Sequence, residues 1–224
     1  MPERPASAGR FIVLEGPDGA GKSVQAPRLA AHLRAAGHAV MLTREPGGTP
    51  LGEQVRHVVL DPGPVRRGPV ADALLFNAAR SQLVNEVIGP ALAKGSVVIS
   101  DRYATSTMAY QGYGGGVDRE VLEEIERLVT GGLKPGLIVL FDVPVEVGLA
   151  RRAAGSTSEK TRFEDTERHD REFHERVREG YLAMAAADPE RWVVIAGDAP
   201  PDVVTADAVR AVDAFLLRSG VHGA

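Results

Sequence analysis

A single glycine-rich stretch near the amino terminus constrains this chain more than any other feature. Residues 16–23 read Gly-Pro-Asp-Gly-Ala-Gly-Lys-Ser and fill every fixed position of the pattern G-x-x-x-x-G-K-[ST]. An apolar run, Phe11 to Leu14, precedes the stretch, and apolar residues at helical spacing follow it. A strand, a glycine-rich loop and a helix in this order are the context of a Walker A loop. The sequence therefore predicts a binding site for a polyphosphate at residues 16–23.

The residue types of this loop predict how it binds phosphate. Glycines let consecutive backbone N–H groups turn towards a polyphosphate, and the following helix points its positive dipole end at the same place. We expect Lys22 to reach the β and γ phosphates of a nucleotide and the Ser23 hydroxyl to bind Mg²⁺. The candidate nucleotide-binding residues are Gly16, Pro17, Asp18, Gly19, Ala20, Gly21, Lys22 and Ser23.

Length and composition limit the domain organisation and the classes of partner. The 224 residues, 44% of them hydrophobic, suffice for one domain, which we expect at 10–218 between disordered tails at 1–9 and 219–224. A net charge of −4 argues against nonspecific binding along nucleic acid. The absence of cysteine excludes disulfides, thiolate zinc sites and cysteine nucleophiles, and it favours a cytoplasmic location. No apolar run has the length of a membrane span, so we expect no membrane partner.

Five short apolar runs predict the fold. They alternate with helical patterns, which favours an α/β fold with a doubly wound, five-stranded parallel sheet and helices on both faces. The predicted strands are 11–14, 39–43, 96–100, 137–141 and 192–195. The predicted helices include 51–60, 70–93, 105–111, 145–152, 167–186 and 202–217. Ligands bind such sheets at the loops after the strands, here 16–23, 44–49, 101–103, 142–144 and 196–200.

A Walker A loop does not define a reaction, because GTPase switches, motor ATPases and small-molecule kinases all contain one. The chain lacks the Asn-Lys-x-Asp motif with which GTPases bind guanine. Its many arginines favour phosphoryl transfer between two phosphorylated ligands, since a nucleoside monophosphate beside ATP brings about six or more negative charges.

Several motifs together resemble the thymidylate kinase family, in its bacterial form. They are the Walker A loop, Phe11-Ile-Val-Leu-Glu-Gly16, Thr43-Arg-Glu-Pro-Gly-Gly-Thr49, Asp101-Arg-Tyr103, Ala109-Tyr-Gln-Gly112 and Arg162-Phe-Glu164. The resemblance extends over about residues 11–218, and its most specific part is the Arg-Glu-Pro-Gly-Gly-Thr segment before Asp-Arg-Tyr. It implies a P-loop NTPase fold, Mg²⁺-dependent transfer of the ATP γ-phosphoryl group to dTMP, and a homodimer.

The resemblance also implies residues for the acceptor phosphate and the metal. Arg44 would hold the phosphate of dTMP, and Arg102 would contact the same group. Asp18 would lie near the 3′-hydroxyl of the sugar. Asp101, at the end of a predicted buried strand, would hold Mg²⁺ directly or through water, in addition to Ser23.

A further group of residues is implied for the nucleoside part of dTMP. Phe76 would stack on thymine and Arg80 would reach a thymine carbonyl; the two are four residues apart and therefore on one helix face. Helical spacing by itself favours a core position for Phe76. Thr107, Tyr110 and Gln111 would lie along the base and sugar, and Tyr110 would exclude a 2′-hydroxyl by steric contact.

The chain departs from the family pattern at Gly19 of the P-loop, and we expect the lid to compensate for this difference. Residues 153–161 are small and polar, which predicts a mobile loop within a lid at about 151–165. Some family members have an arginine in the P-loop where this chain has Gly19, so a lid cation would supply that charge. We expect Arg162 to be this arginine finger and a catalytic residue beside Lys22. The alternatives are Arg151, Arg152 and Lys160.

Three questions stay open from the sequence. Glu45 fits three roles: orienting Arg44, acting through a metal-bound water, or supporting the structure. The substrate alternative is another nucleoside monophosphate or deoxynucleoside. The alternative from a different class is a nucleotide-binding switch that hydrolyses slowly, although the chain shows no guanine motif.

Overall fold

Five parallel strands form the centre of the computed structural model, which describes residues 10–60, 67–154 and 167–220. The strands are β1 Phe11–Glu15, β2 Val40–Arg44, β3 Val97–Asp101, β4 Leu137–Asp142 and β5 Trp192–Ala196. They lie in the order β2-β3-β1-β4-β5, and every neighbouring pair is parallel. The predicted doubly wound sheet is confirmed, and each predicted strand ends within one residue of the observed limits.

Helices cover both faces of this sheet. The described α-helices are α1 Lys22–Ala35, α2 Pro50–Leu60, α3 Pro69–Leu83, α4 Gly89–Ala93, α5 Ala104–Thr107, α6 Arg119–Thr130, α7 Val145–Ala154, α8 Glu167–Ala187 and α9 Pro201–Arg218. Ile12 and Leu14 belong to one buried apolar cluster, with α1 and α9, and Phe11 and Val13 to another, with α8. Because alternate strand residues point to opposite faces, the two clusters lie on opposite sides of the sheet. The fully buried β1 therefore needs to be apolar on both faces.

The structure corrects two predicted helices. The helix predicted over 70–93 consists of α3, a π-helical segment Val84–Ile88, and α4. The helix predicted over 105–111 is α5 followed by a π-helical segment Met108–Gly114, which extends three residues past the predicted end. A π turn adds only one residue to a helical turn, so the apolar spacing on either side still indicates a helix. Such segments are frequent at functional sites, and the second one contains Tyr110 and Gln111.

The carboxyl ends of the strands place the predicted ligand-binding loops side by side. In the sheet register, Leu14 of β1 pairs with Asp101 of β3, and Asp101 pairs with Arg44 of β2. The predicted tail at 1–9 and most of the predicted lid, including Arg162, lie outside the described residues. Within the described ranges, none of the helices combines the length and apolar character of a membrane span.

Candidate active site

The P-loop follows β1 and is held tightly against its neighbours. Gly16, Gly19 and Gly21 have φ values of 143°, 77° and 91°, which favour glycine. A Cβ at Gly16 would lie 2.4 Å from the Phe141 carbonyl oxygen, and one at Gly19 would lie 2.2 Å from that of Gly148. No side chain caps the first turn of α1, where Gly21 is the N-cap. The loop therefore leaves the positive end of the helix dipole available to an anion.

The Lys22 side chain folds back over this loop. Its Nζ donates hydrogen bonds to the carbonyl oxygens of Gly16 at 2.8 Å and Pro17 at 2.9 Å. Burial, followed by the charge of Arg102, lowers the pKa of Lys22 to about 8, although nearby carboxylates oppose the shift. The ammonium thus lies among the loop carbonyls, which phosphate oxygens would replace as its partners.

Two cavities adjoin at the carboxyl edge of the sheet. The P-loop cavity is lined by residues 18–25 and by groups after the other strands, among them Arg44, Asp101, Arg151, Arg152 and Gly197. The Phe76 cavity is lined by side chains that include Val59, Leu60, Phe76, Arg80, Ser106, Thr107, Tyr110 and Gln111. Four charged residues line both cavities: Asp18, Glu45, Arg56 and Arg102. A charged boundary therefore separates the glycine-rich loop from a more apolar cavity.

Most of the residues expected at the site line these two cavities. Seven candidates for acceptor binding line the Phe76 cavity: Asp18, Phe76, Arg80, Arg102, Thr107, Tyr110 and Gln111. Arg44 lines the P-loop cavity instead, together with Ser23 and Asp101. Arg162 lies outside the described residues and is not placed.

Arg80 is held by several hydrogen bonds in the wall of the Phe76 cavity. Its Nε donates to Glu45 Oε2 at 2.8 Å and its Nη1 to Asn77 Oδ1 at 2.9 Å. Its Nη2 donates to the Tyr103 carbonyl oxygen at 3.1 Å and to Thr107 Oγ1 at 3.0 Å. These bonds use four of the five guanidinium N–H groups. The orientation of Arg80 is therefore fixed, and one N–H group of Nη1 remains for a ligand.

Glu45 forms its ion pair with Arg80, not with Arg44. Burial raises the pKa of Glu45 to about 7, although the Arg80 charge opposes the shift. Its second oxygen, Oε1, is buried and has no hydrogen-bond partner among the described residues. Arg44 is oriented by Glu53 instead, through bonds of 3.0 and 3.1 Å from Nη2. Of the three roles left open for Glu45, orienting Arg44 is therefore the one that the structure contradicts, because the Glu45 carboxylate binds Arg80 of α3.

Arg102 connects the two cavities. Its φ of 72° is the one positive value among the described non-glycine residues. Nη2 forms an ion pair with Asp18, and Cζ lies 5.1 Å from the centre of the Tyr110 ring. Burial acts to raise the pKa of Asp18, but the charges of Arg102 and Lys22 outweigh it and the pKa is lowered. A carboxylate, a guanidinium and an aromatic ring are thus held together at the boundary.

The P-loop cavity offers oxygen ligands that fit Mg²⁺. Ser23 and Asp101 both line it. Mg²⁺ is typically held by one or two protein oxygens together with substrate phosphates and water. Among the described residues, no group of three or more His, Cys, Asp or Glu side chains could hold a metal by itself. This donor set fits a Mg²⁺ ion that is bound mainly through a nucleotide.

Two of the alternatives to Arg162, Arg151 and Arg152, line the P-loop cavity. Arg151 Nη1 donates to the carbonyl oxygens of Gly197 at 2.8 Å and Gly19 at 3.4 Å. Arg152 lines the same cavity, and its Nη1 lies 3.5 Å from His174 Nε2. The end of α7 therefore brings positive charge to the loop side of the site.

Sequence reasoning missed Arg56, which lines both cavities. Its Nη1 donates to the Pro46 carbonyl oxygen at 3.1 Å. Arg56 lies three residues after Glu53 and hence on the same face of α2. No motif marks this face, so its orientation towards the site is visible only in the tertiary structure.

Comparisons with known proteins identify one family. A family model described as thymidylate kinase matches residues 14–208. The chain is 50% identical over 206 residues to a thymidylate kinase of Deinococcus radiodurans, with 92% of this chain and 97% of that protein covered. It is also 50% identical over 210 residues to one of Thermomicrobium roseum, with 94% and 97% covered. A crystal structure of thymidylate kinase from Ehrlichia chaffeensis superposes with a TM-score of 0.69 at 31% identity, covering 89% of this chain and 96% of that one.

Proposed function

We propose that this chain, which belongs to the thymidylate kinase family, transfers the γ-phosphoryl group of ATP to dTMP and releases dTDP and ADP. Family membership supports both substrates. The observation that carries the proposal in this chain is the charged boundary at which the P-loop cavity meets the Phe76 cavity. A cytoplasmic location, expected from the absence of cysteine, is part of the same proposal.

ATP would occupy the P-loop cavity with its phosphates at the start of α1. Lys22 would exchange the loop carbonyls for phosphate oxygens and stabilise charge that develops during transfer. Ser23 and Asp101 would hold Mg²⁺, which neutralises charge on the β and γ phosphates when it is bound. Arg151 and Arg152 line the same cavity and would approach the nucleotide from the end of α7.

The nucleoside of dTMP would occupy the Phe76 cavity. The half-buried Phe76 ring would stack on thymine, and the remaining N–H group of Arg80 would reach a carbonyl oxygen. Thr107 and Gln111 are buried and line the same cavity, so they would lie along the base. Tyr110 would lie under the sugar and exclude a 2′-hydroxyl by contact.

The phosphate of dTMP would lie at the charged boundary. Arg102 lines both cavities and would hold this phosphate in line with the γ-phosphoryl group. Arg56 lines both cavities as well, and we add it to the acceptor-phosphate residues. Arg44 would approach the same phosphate from the P-loop side. Asp18 would contact the 3′-hydroxyl of the sugar.

The lid completes this proposal. A single domain at 10–218 would close its lid, at about 151–165, over both ligands and exclude water that would otherwise hydrolyse ATP. Arg162 would then supply the cation that the P-loop lacks at Gly19. Family resemblance and the placement of α7 beside the P-loop support this arrangement.

We also propose that two copies of the chain form a homodimer through α2, α3 and α6. In the structure α3 packs against both other helices. Six apolar side chains of these helices are between 42% and 78% exposed: Leu51, Val58, Val70, Leu74, Val121 and Leu128. A self-complementary apolar surface is typical of a twofold dimer. Sedimentation velocity should therefore show a dimer that Leu74→Asp dissociates, whereas Leu217→Asp, at an exposed position of α9, should leave it intact.

A coupled assay of ADP release tests the function. It should compare dTMP, dUMP, dGMP, dAMP and UMP as acceptors, and kcat/KM should be highest for dTMP. Equal use of a purine nucleotide would favour the alternative substrate class. ADP release that needs no acceptor would favour the nucleotide-binding switch.

A further inference from the structure

Glu15, the last residue of β1, is a charged side chain that is completely buried. Its Oε1 accepts hydrogen bonds from the Tyr103 backbone N–H at 3.0 Å and the Thr105 hydroxyl at 2.6 Å. Its Oε2 accepts from the Ser106 hydroxyl at 2.6 Å and the Tyr181 hydroxyl at 2.8 Å. A buried carboxylate is tolerated only when its oxygens are bound in this way. Four donors from two distant segments therefore converge on this one group.

The backbone of Arg102 depends on the same end of β1. The Arg102 N–H donates to the Leu14 carbonyl oxygen at 3.0 Å, and the next N–H in the chain, that of Tyr103, donates to Glu15. The carbonyl oxygen of that same peptide group, Arg102 O, accepts a hydrogen bond from the Ser100 hydroxyl at 2.7 Å. A left-handed conformation at a residue other than glycine persists only where its surroundings hold it. Glu15 thus fixes one of the two peptide groups beside that residue.

The guanidinium of Arg102 is also connected to Glu15, through two hydroxyl groups. Nη1 lies 3.1 Å from Ser106 Oγ and 3.4 Å from Tyr181 Oη. Ser106 Oγ and Tyr181 Oη also lie 3.0 Å from each other, but for both hydroxyls the charged Glu15 oxygen is nearer, at 2.6 and 2.8 Å. Each hydroxyl has one hydrogen, and with that hydrogen donated to Glu15 its lone pairs are available to Arg102. The other terminal nitrogen, Nη2, faces Asp18 and Tyr110 at the boundary of the cavities.

We propose that Glu15 is a positioning residue that acts through Ser106 and Tyr181 to aim Arg102 at the acceptor phosphate. This inference rests on the proposed function, because it concerns the residue that would hold the phosphate of dTMP. Glu15 itself does not touch the substrate. Its carboxylate instead determines the direction of two hydroxyl groups and the backbone conformation from which the Arg102 side chain projects.

Tyr181→Phe is the sharpest test, since it removes one hydroxyl and keeps the buried ring. Isothermal titration calorimetry without ATP should show dTMP binding weakened about tenfold, the usual effect of losing a hydrogen bond to a charged group. KM for dTMP should rise by a similar factor and KM for ATP by less than about twofold. Glu15→Gln should weaken dTMP binding at least as much, because an amide N–H would meet a donor. Tyr113→Phe is the matched control, since Tyr113 packs beside Tyr181's neighbour Gly180 and is not among the described residues lining either cavity.

A double-mutant cycle separates positioning from general damage. In an Arg102→Ala background, Tyr181→Phe should cause no further loss of dTMP affinity. A full further loss there, or an equal rise in both KM values, would overturn the inference. If Glu15→Gln does not fold, the cycle between Tyr181 and Arg102 decides alone. A wild-type protein that binds dTMP but releases no ADP would refute the proposed function, while the binding cycle would still test the positioning role.

Discussion

The two cavities are built in different ways although they share a boundary. One wall of the P-loop cavity consists of the consecutive residues 18–25, whose glycines at 19 and 21 have positive φ values, and residues from other segments complete the lining. The Phe76 cavity is formed by side chains from separate helices, and these bind one another, as Arg80 binds Glu45. Lys22 is bound to carbonyl groups that a phosphate must replace, whereas Arg80 already has its partners. Under the proposed function, the acceptor side would therefore be preassembled, and the donor side would change its hydrogen bonds when a nucleotide binds.

This difference predicts how substitutions divide between kinetic constants. A group whose best partner appears only in the transition state affects kcat, whereas a group already fixed for ground-state binding affects KM. Substitution of Lys22 or Arg162, the proposed cations of the transferring phosphoryl group, should thus mainly lower kcat. Substitutions of residues that line the Phe76 cavity should mainly raise KM for dTMP.

The largest expected effect concerns the lid. Arg162→Ala should bind both substrates almost normally and lose about 10³-fold in kcat, the scale of an arginine finger. Single-turnover phosphoryl transfer in Arg162→Ala, Arg152→Ala and Arg151→Ala measures this directly. If Arg162→Ala transfers at the wild-type rate and a variant of α7 does not, the finger lies on α7, where Arg151 already contacts the P-loop.

Lys22→Ala should have the next largest effect, a loss of about 10²-fold or more in kcat, because charge on the transferring phosphate loses its closest cation. Lys94→Ala, at an exposed position, is the matched control. Steady-state kinetics with a check of the melting temperature would measure both variants. Near-normal turnover in a folded Lys22→Ala protein would contradict the proposal that the P-loop cavity binds the phosphoryl donor.

Arg102 and Arg44, the two arginines expected to hold the acceptor phosphate, should give a smaller and more selective effect. Arg102→Ala should raise KM for dTMP by about tenfold or more and KM for ATP much less, because a charge-assisted bond to the acceptor is lost. Arg44→Ala should act in the same direction but less strongly, since Arg44 lines only the P-loop cavity and is held by Glu53. Arg210→Ala on α9 provides the control. Equal increases for both substrates would mean that these arginines do not belong to the acceptor side.

The parts of the fold that follow from continuous patterns could be predicted from the sequence. Buried parallel strands consist of uninterrupted apolar residues, so β1 and β4 were evident from their composition alone. The glycine-rich loop was equally evident because its residues are consecutive. The π-helical segment that contains Tyr110 was not, since one inserted residue leaves the apolar spacing almost unchanged.

Contacts between distant residues could not be predicted in the same way. Glu45 and Arg80 are 35 positions apart, and neither local sequence indicates the other as a partner. Glu15 appears at the end of an apolar run, yet its burial is explained by donors such as Tyr181, 166 positions away. Family resemblance named seven of the residues that line the Phe76 cavity, but only the tertiary structure adds Arg56 and shows which side chains fix the others.

The smallest expected effect is a difference in pH dependence between the two cavities. The pKa of Lys22 in the free protein is lowered to about 8 by burial and by the charge of Arg102. Bound phosphates stabilise the ammonium and raise this pKa, so the complex holds more protons than the free protein between pH 8 and the higher value. Affinity for Mg²⁺-ADP should therefore fall as pH rises above 8, by at most about tenfold per pH unit, with proton uptake on binding. Below pH 8, Lys22 is protonated in both states and contributes no slope.

Calorimetry at pH 7, 8 and 9, in buffers of different ionisation enthalpy, measures both the affinity and the proton uptake. Lys22→Ala should bind Mg²⁺-ADP more weakly at pH 7 and lose the additional slope above pH 8. Binding of dTMP should stay almost constant between pH 8 and 9, because the guanidinium groups of Arg80 and Arg102 do not titrate there. A parallel loss of affinity for both ligands would show that one titrating group serves both cavities. A constant affinity for Mg²⁺-ADP would show that Lys22 keeps its proton in the free protein up to pH 9, and the two cavities would then not differ in their pH dependence.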